Sequence, residues 1–406
     1  MLKPEPRSVP HSMQCAYFNA AVCRSCVWLP VPYATQLAQK AQSAATQLAA
    51  FTALVWLPPV PSAEQGFRNK AKMVVSGSSR APKLGILDAR GQGVDLTQCG
   101  LYPKALSAAF EPIKRMITRL ALTPYEIAAR RGELKYVLIT HSAADNSLMV
   151  RLVLRSTARV SAIQADWLNL VADLPQIAVL SVNIQPVHQA ILEGETELIL
   201  SPRETLTMVL NGLPFYLRPR SFFQTNTAVA AQLYATARDW VAELAPRDLW
   251  DLFCGVGGFA LHCAPYVSGE VTGIEVSAEA IASAQQSAAE LGLTQARFRA
   301  LTADDFVATV AKLPALVVVN PPRRGLGTEL CRFLHDAAAD QSRPLRWMIY
   351  SSCNPESLAR DLAAMPSFTP IRAQLFDLFP HTAHSEVLVL LERKRTGKGI
   401  PQGRPD

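Results

Sequence analysis

The second half of the chain alternates short apolar runs with segments of helical periodicity. The apolar runs predict strands at residues 249–253, 271–276, 315–319, 346–350, 371–376 and 386–391. Helical spacing predicts a helix at 278–291 and another that ends at 362. Strands that alternate with helices are typical of a parallel, doubly wound α/β sheet. In such sheets, ligands bind beyond the carboxyl ends of the strands.

The first half has a less regular pattern. It predicts helices at 35–54 and 159–171 and strands at 72–77, 136–140, 148–154 and 178–184. These elements indicate a smaller central domain of α/β or α+β type. The predicted divisions are a disordered tail at 1–12, a cysteine-bearing segment and the start of the central domain at 13–105, the rest of that domain at 106–215, the doubly wound domain at 216–392, and a disordered tail at 393–406.

Composition narrows the class of protein. Of 406 residues, 49% are hydrophobic and 18% are charged, which excludes a wholly disordered chain. No apolar run approaches the ~20 residues of a membrane helix, and no signal peptide begins the chain, so a cytoplasmic protein is expected. The net charge of +7 fits a polyanionic partner such as nucleic acid without requiring one.

Three of the eight cysteines crowd into twelve residues, at Cys15, Cys23 and Cys26. A reducing compartment disfavours disulfides, so this cluster predicts a metal site first. The scattered Cys254, Cys263 and Cys331 are expected to be buried core residues.

A glycine-rich segment, DLFCGVGGF at 251–259, follows the first strand of the doubly wound region. Gly255, Gly257 and Ala260 satisfy G-x-G-x-x-A, and the next strand ends at Glu275, where a carboxylate can bind ribose hydroxyls. The pattern favours a nucleotide-like ligand over a plain turn. It leaves NAD and S-adenosylmethionine both open.

Three further positions follow or begin predicted strands. Asn320 opens a rigid NPPRRG loop, although a turn with two solvated arginines explains it equally well. Cys353 precedes a helix, whose N-terminus can activate a thiolate, although a lone cysteine is more often a core residue. Glu386 can act as a general base, and the simpler alternative is an exposed glutamate.

Taken together, the motifs resemble those of the RNA uracil-C5 methyltransferase family. The matching segments are MQC (13–15), CRSC (23–26), EQGFRNKAKMVVSG (64–77), SFFQTN (221–226), DLFCGVGGF (251–259), GIE (273–275), NPPRRG (320–325), SSCNP (351–355) and HTAHSEVLVLL (381–391). The resemblance runs from about Met13 to about Leu391 and is closest to the bacterial branch that modifies uracil 747 of 23S rRNA.

The resemblance implies a Rossmann-like class I methyltransferase domain and a role for each matched residue. The implied contacts to S-adenosylmethionine are Gln224, Phe253, Glu275 and Asn320. Cys353 is the implied nucleophile and Glu386 the implied base. The implied ligands of a [4Fe–4S] cluster are Cys15, Cys23, Cys26 and Cys99. Four thiolates alone suit zinc as well.

The implied partner is 23S rRNA, bound by a monomer without membrane contact. Alternatives are a tRNA substrate, an NAD-dependent oxidoreductase and a catalytically silent RNA-binding protein; the presence of both Cys353 and Glu386 argues against the last. The candidate phosphate contacts are Arg68, Lys70, Lys72, Lys114, Arg115, Arg119, Arg130, Arg131 and Lys135. A solvated helix face explains 114–119 better, whereas 68–72 lie inside a matching motif and are favoured.

Overall fold

The computed structural model describes residues 13–188, 191–310 and 312–394. The tail predicted at 1–12 lies outside the described residues, as does most of the tail predicted at 393–406. Arg393 itself is the last residue of the final strand. None of the helices in the described ranges is long and apolar enough to cross a membrane.

Seventeen strands are present: β1 Val55–Trp56, β2 Lys70–Ser78, β3 Ala81–Leu87, β4 Gly93–Asp95, β5 Leu134–His141, β6 Leu148–Leu154, β7 Ile177–Ile184, β8 Thr196–Ile199, β9 Leu206–Leu210, β10 Leu213–Leu217, β11 Leu249–Leu252, β12 Val271–Glu275, β13 Ala296–Ala300, β14 Leu316–Val319, β15 Trp347–Ser352, β16 Phe368–Phe376 and β17 Glu386–Arg393, counted over the described ranges.

The helices of the same ranges are α1 Ala16–Asn19, α2 Tyr33–Gln47, α3 Lys104–Ala108, α4 Phe110–Arg119, α5 Val160–Ala165, α6 Trp167–Asp173, α7 Thr227–Leu244, α8 Gly258–Cys263, α9 Ala278–Glu290, α10 Ala303–Thr309, α11 Thr328–Ala339 and α12 Pro355–Ala363, with one 3₁₀ turn at Ala264–Tyr266.

The doubly wound arrangement predicted for the second half is confirmed. Its eight-stranded sheet has the order β1-β16-β17-β15-β14-β11-β12-β13. All pairs are parallel except those of β17, which runs antiparallel to β15 and β16. Strand β14 (LVVV) is buried throughout, as expected for a strand covered on both faces. The chain order reverses between β11 and β14, which is where ligands bind in open α/β sheets.

A seven-stranded, mostly antiparallel sheet forms from the first half, in the order β4-β3-β2-β5-β6-β7-β8. The four predicted strands are present here as β2, β5, β6 and β7, whereas β3, β4 and β8 were not predicted. Helices α3 to α6 bury one face of this sheet, with Phe110 and Ile113 of α4 in the shared core.

Two predicted helices differ from the structure. The helix predicted at 35–54 ends at Gln47, because the chain then turns to bring β1 alongside β16. The helix predicted at 159–171 is interrupted at Asp166, whose carboxylate accepts hydrogen bonds from Arg119 and Asn169. In both places tertiary contacts override the local helical pattern.

Helix α2 is attached to the loop between β16 and β17 by a buried ion pair. Lys40 Nζ donates to Asp377 Oδ1 at 2.7 Å and to the Phe379 carbonyl at 3.0 Å, and neither charged side chain is exposed. Tyr33 Oη donates to the second carboxylate oxygen of Asp377 at 3.0 Å. The charges are thus neutralised and hydrogen-bonded, which a buried pair requires.

A second set of contacts extends this attachment. The backbone N–H of His381 donates to Gln36 Oε1 at 2.8 Å, and the N–H of Trp28 donates to the His381 carbonyl at 2.9 Å. Gln36 also donates to the Val31 carbonyl at 2.8 Å. The N-terminal segment therefore fixes the loop that leads into β17.

Candidate active site

The glycine-rich loop between β11 and α8 lies where the sheet order reverses. Phe253 has a φ of 66° and Gly257 a φ of 87°, in the left-handed region. A Cβ at Gly258 would lie 2.6 Å from Tyr234 Cζ, so α8 packs this closely only without a side chain there. A Cβ at Gly255 would meet no atom within 4 Å. The loop thus opens on free space, which lets a ligand approach its backbone.

Two carboxylates hold this loop. Glu275, at the end of β12, accepts hydrogen bonds from the backbone N–H groups of Gly255 at 3.2 Å and Ser277 at 3.1 Å. Asp251 is fully buried and accepts from the N–H of Ala260 at 2.9 Å, and burial raises its pKa to about 7. Binding of ribose hydroxyls by Glu275 stays a prediction, whereas Asp251 orders the loop itself.

Asn320 and Gln224 approach from different directions. Asn320 follows β14, and its N–H lies 3.4 Å from the Leu252 carbonyl at the end of β11. Phe253, Glu275 and Asn320 therefore meet at the carboxyl ends of three neighbouring strands. Gln224 is buried just before α7, and its carbonyl accepts from Asn69 Nδ2 at 3.0 Å. No hydrogen bond among the described residues joins its side chain to the other three.

The predicted nucleophile and base are neighbours. Cys353 lies between β15 and α12, and Glu386 is the first residue of β17. Antiparallel pairing places Ser352 opposite Val387, so the end of β15 meets the start of β17. Ser351 Oγ donates to Glu386 Oε1 at 2.5 Å. Glu386 is only 2% exposed, so the alternative of an exposed glutamate is wrong.

Burial and charge set the protonation of these groups. Burial raises the pKa of Glu386 to about 7, opposed by the hydrogen bond from Ser351. Burial and the charge of Glu386 raise the pKa of Cys353, whereas the charge and hydrogen bond of Arg323 lower it. Burial and the charge of Arg323 lower the pKa of His384, whose Nδ1 lies 3.1 Å from the guanidinium. Arg323 is exposed, as the alternative of a solvated arginine expects, and its charge nevertheless acts on the thiol of Cys353.

A cleft of about 600 Å³ opens in front of Cys353. Arg323 and His384 contribute to its lining, and much of the rest comes from Trp28 and helix α2. A slightly larger cavity, about 630 Å³, lies beside Asp248 at the amino ends of β11 and β12, away from these groups. The first cleft is lined by Cys353, whose neighbour Glu386 is buried behind it, and we therefore take this cleft as the candidate site.

The four predicted cluster cysteines lie near one another. Burial and the charges of Cys99, Cys23 and Cys15 raise the pKa of Cys26 to about 12. The N–H of Gln98 donates to Tyr17 Oη at 3.0 Å, which brings the chain after Cys15 against the residue before Cys99. All four thiols are half-buried.

The described residues nevertheless contain no group of three or more His, Cys, Asp or Glu side chains arranged to hold a metal ion. Outside the cluster, Cys254, Cys263 and Cys331 are buried in the core, as predicted.

Most of the basic residues considered for RNA binding have protein partners. Lys114 pairs with Asp95, Arg115 and Arg119 pair with Asp173, and Arg131 pairs with Glu126. Lys135 is buried and donates to the Val187 carbonyl. The solvated-face alternative therefore fits 114–119 better. Phosphate contacts at Arg68, Lys70 and Lys72 stay a prediction.

Sequence reasoning missed Ser351 and His384 and did not assign Arg323 to the site. All three lie within motifs already singled out, two or three residues from Cys353, Glu386 or Asn320. That proximity in sequence was the available signal. Lys40 and Trp28 carried no such signal, because tertiary contacts alone bring them to the cleft.

Comparison with known proteins shows the family to which the chain belongs. A family model described as tRNA (Uracil-5-)-methyltransferase matches residues 195–394. The chain is 64% identical to a 23S rRNA (uracil(747)-C(5))-methyltransferase, RlmC, of Halothiobacillus neapolitanus, covering 94% of this chain and 100% of that protein. It is 52% identical to the protein of the same description from Pectobacterium atrosepticum, with the same coverage of 94% and 100%.

Among solved structures, the Pyrococcus abyssi tRNA (uracil-54, C5)-methyltransferase in complex with S-adenosyl-L-homocysteine aligns with a TM-score of 0.73 at 23% identity, covering 90% of this chain and 85% of that one. The fold is therefore that of a Rossmann-like methyltransferase. The chain belongs to the RNA uracil-C5 methyltransferase family. This decides against the NAD-dependent alternative that the glycine loop left open.

We expect Arg323→Ala to make Cys353 less reactive, because removing the guanidinium raises the pKa of the thiol. Alkylation of Cys353 by iodoacetamide should be slower in this variant at neutral pH, and the pH dependence of its rate should shift to higher pH. Mass spectrometry of the peptide that contains Cys353 measures the rate. Arg324→Ala is the matched control, because no effect of Arg324 on the pKa of Cys353 is found. Equal alkylation profiles for both variants would contradict the role of Arg323.

Proposed function

We propose that the protein methylates C5 of uracil 747 in 23S rRNA, with S-adenosylmethionine as methyl donor. The observation that carries the proposal is the contact edge of β15 and β17, where a thiol and a buried carboxyl of near-neutral pKa meet in the same sheet as an open glycine-rich loop. Relatives at 64% and 52% identity bear that substrate in their names. A ribosomal RNA substrate also fits the cytoplasmic location expected from the sequence.

The residues present fit the methyl donor. The open backbone at Gly255, with the Glu275 carboxylate beside it, suits a nucleoside, and Phe253, Asn320 and Gln224 would complete the contacts. When bound, S-adenosylmethionine supplies an electrophilic methyl group. The protein must then make uracil C5 nucleophilic, since the free ring reacts too weakly.

Cys353 and Glu386 would supply that chemistry in two successive steps. The Cys353 thiolate adds to C6 of uracil, which makes C5 a nucleophile. After C5 has taken the methyl group, Glu386 accepts the C5 proton, and elimination of the thiolate restores the ring. Arg323 favours the thiolate, and Ser351 holds the carboxylate in place. The target base must leave its stack to reach these groups.

Two further assignments belong to the proposal. Cys15, Cys23, Cys26 and Cys99 would hold a [4Fe–4S] cluster, since four neighbouring thiolates are the donor set that such a cluster takes. We also propose a division into the cysteine-cluster segment and the start of the RNA-binding central domain at 13–105, the rest of that domain at 106–215 and the methyltransferase domain at 216–392. Because the family description names tRNA, a tRNA uracil is the second candidate substrate.

Labelled methyl transfer to RNA fragments tests the substrate. We expect label in a 23S rRNA fragment, none after uracil 747 is changed to cytosine, and none with Cys353→Ala, which should still bind S-adenosylmethionine by calorimetry. Cys331→Ala, a buried thiol away from the cleft, should retain transfer. Label in tRNA transcripts alone would favour a tRNA uracil as the substrate. Turnover by Cys353→Ala would show that Cys353 is not the nucleophile.

Glu386→Gln should stall the reaction after methylation, because an amide cannot take the C5 proton. A denaturation-resistant RNA–protein band should accumulate, turnover should fall roughly 10²–10⁴-fold, and the double variant with Cys353→Ala should show no band. In the parent enzyme, proton removal should weaken as pH falls through about 7, where Glu386 becomes protonated. Glu392→Gln, an ion-paired glutamate at the other end of β17, is the control. Normal turnover by Glu386→Gln would mean that a group other than Glu386 removes the C5 proton.

Anaerobically purified protein should be brown and contain about four irons per chain, the content of a cubane cluster. Cys26→Ser should lose colour and iron, whereas Cys331→Ser should keep both. Colourless protein that contains one zinc per chain would show that the four cysteines hold zinc and not the proposed cluster.

A further inference from the structure

Helix α2 presents a row of neutral polar side chains to the cleft that holds Cys353. Gln39, Ser43 and Gln47 follow one another at intervals of four residues, which places them on one face of the helix. All three line the cleft and are exposed. The buried residues Lys40 and Ala44 lie next to them and anchor the helix. We call Trp28, Gln39, Ser43 and Gln47 the α2 wall.

The polar members of the α2 wall have free hydrogen-bonding capacity. Within the described residues, the side chains of Gln39, Ser43 and Gln47 form no hydrogen bond to protein groups. Each amide or hydroxyl can both donate and accept. Lys40 is the only charged residue of α2, and Asp377 neutralises it. The wall therefore lacks a free cation, unlike a surface built to bind phosphates.

Trp28 adds an aromatic surface to the same cleft. It is half-buried, and its backbone is fixed by hydrogen bonds to His381 and from Gln36. Lys40 Nζ lies 5.8 Å from the ring centroid, which restrains the indole further. A fixed aromatic ring beside unpaired amides is the combination with which proteins hold single-stranded RNA, by stacking and by hydrogen bonds to base edges.

We propose that the α2 wall recognises the unpaired nucleotides that flank the target uridine. Trp28 stacks on a neighbouring base, and Gln39, Ser43 and Gln47 bind base edges. The wall is then the part of the active site that selects the sequence around the uridine, while Cys353 and Glu386 act on the uridine itself. This inference rests on the proposed function, since it takes the occupant of the cleft to be RNA.

The test uses the full-length enzyme and a 23S rRNA hairpin that carries the target uridine. A set of hairpins changes each unpaired flanking nucleotide singly, and kcat/KM is measured over a series of salt concentrations. Gln39→Ala and Gln47→Ala should each lower kcat/KM on the natural hairpin by about tenfold and lose discrimination at one flanking position. The salt dependence should stay that of the parent, because no phosphate contact is removed.

Matched variants separate recognition from a structural effect. Gln42→Ala changes an exposed glutamine of the same helix that bonds only Thr46 and does not line the cleft, so it should behave as the parent. Trp28→Ala should lower kcat/KM about tenfold on all hairpins, and Trp28→Phe should keep most of the parent's kcat/KM because it retains a ring that can stack. Binding of S-adenosylmethionine should be unchanged throughout.

Two results would overturn the inference. Unchanged discrimination by Gln39→Ala and Gln47→Ala would mean that the wall does not contact bases, and a weaker salt dependence would mean that it contacts phosphates. If the parent methylates only tRNA hairpins, the proposed substrate fails. The same variants on a tRNA hairpin then support or overturn the role of the wall by the same criteria.

Discussion

The active site depends on one buried ion pair, between Lys40 of helix α2 and Asp377 after strand β16. Neither charge reaches water, so each is tolerable only while the other is present. The pair fixes α2 on one side and the 377–385 loop on the other. That loop carries His384 and leads directly to Glu386. The ion pair takes no part in the reaction, yet it fixes the position of α2 relative to the loop that carries His384 and leads to Glu386.

The reversed direction of β17 explains how a strand-end thiol meets a strand-start carboxyl. In a wholly parallel sheet, the first residue of every strand lies at the edge away from the ligand. Because β17 runs antiparallel to β15, Glu386 lies at the ligand edge, inside the sheet and out of water. The same placement supplies the burial that raises its pKa to about 7. The antiparallel direction of β17 therefore explains both the position of Glu386 and its raised pKa.

The sequence predicted what depends on local pattern and missed what depends on distant partners. Strands such as β14 were predictable because burial on both faces makes them continuous apolar runs. The placement of Cys353 and Glu386 at strand ends was predictable from the sequence, whereas their roles were implied only by the family resemblance and stay proposals. The Lys40–Asp377 pair was not, because its members are 337 residues apart and look like ordinary surface charges. The end of α2 at Gln47 was missed because alanine, glutamine and leucine continue beyond it, and only pairing of β1 with β16 requires the turn.

The pairing of β1 with β16 also constrains the order of events during synthesis. Strand β1 and helix α2 are translated long before their partners, since Asp377 follows Lys40 by 337 residues. Until then the nascent chain must keep an unpaired strand and an uncompensated lysine exposed, which invites chaperone binding. The α2 side of the cleft can take its place only after β16 and Asp377 have been translated. Until Asp377 has left the ribosome, the nascent chain therefore lacks the ion pair that orders the α2 side of the cleft.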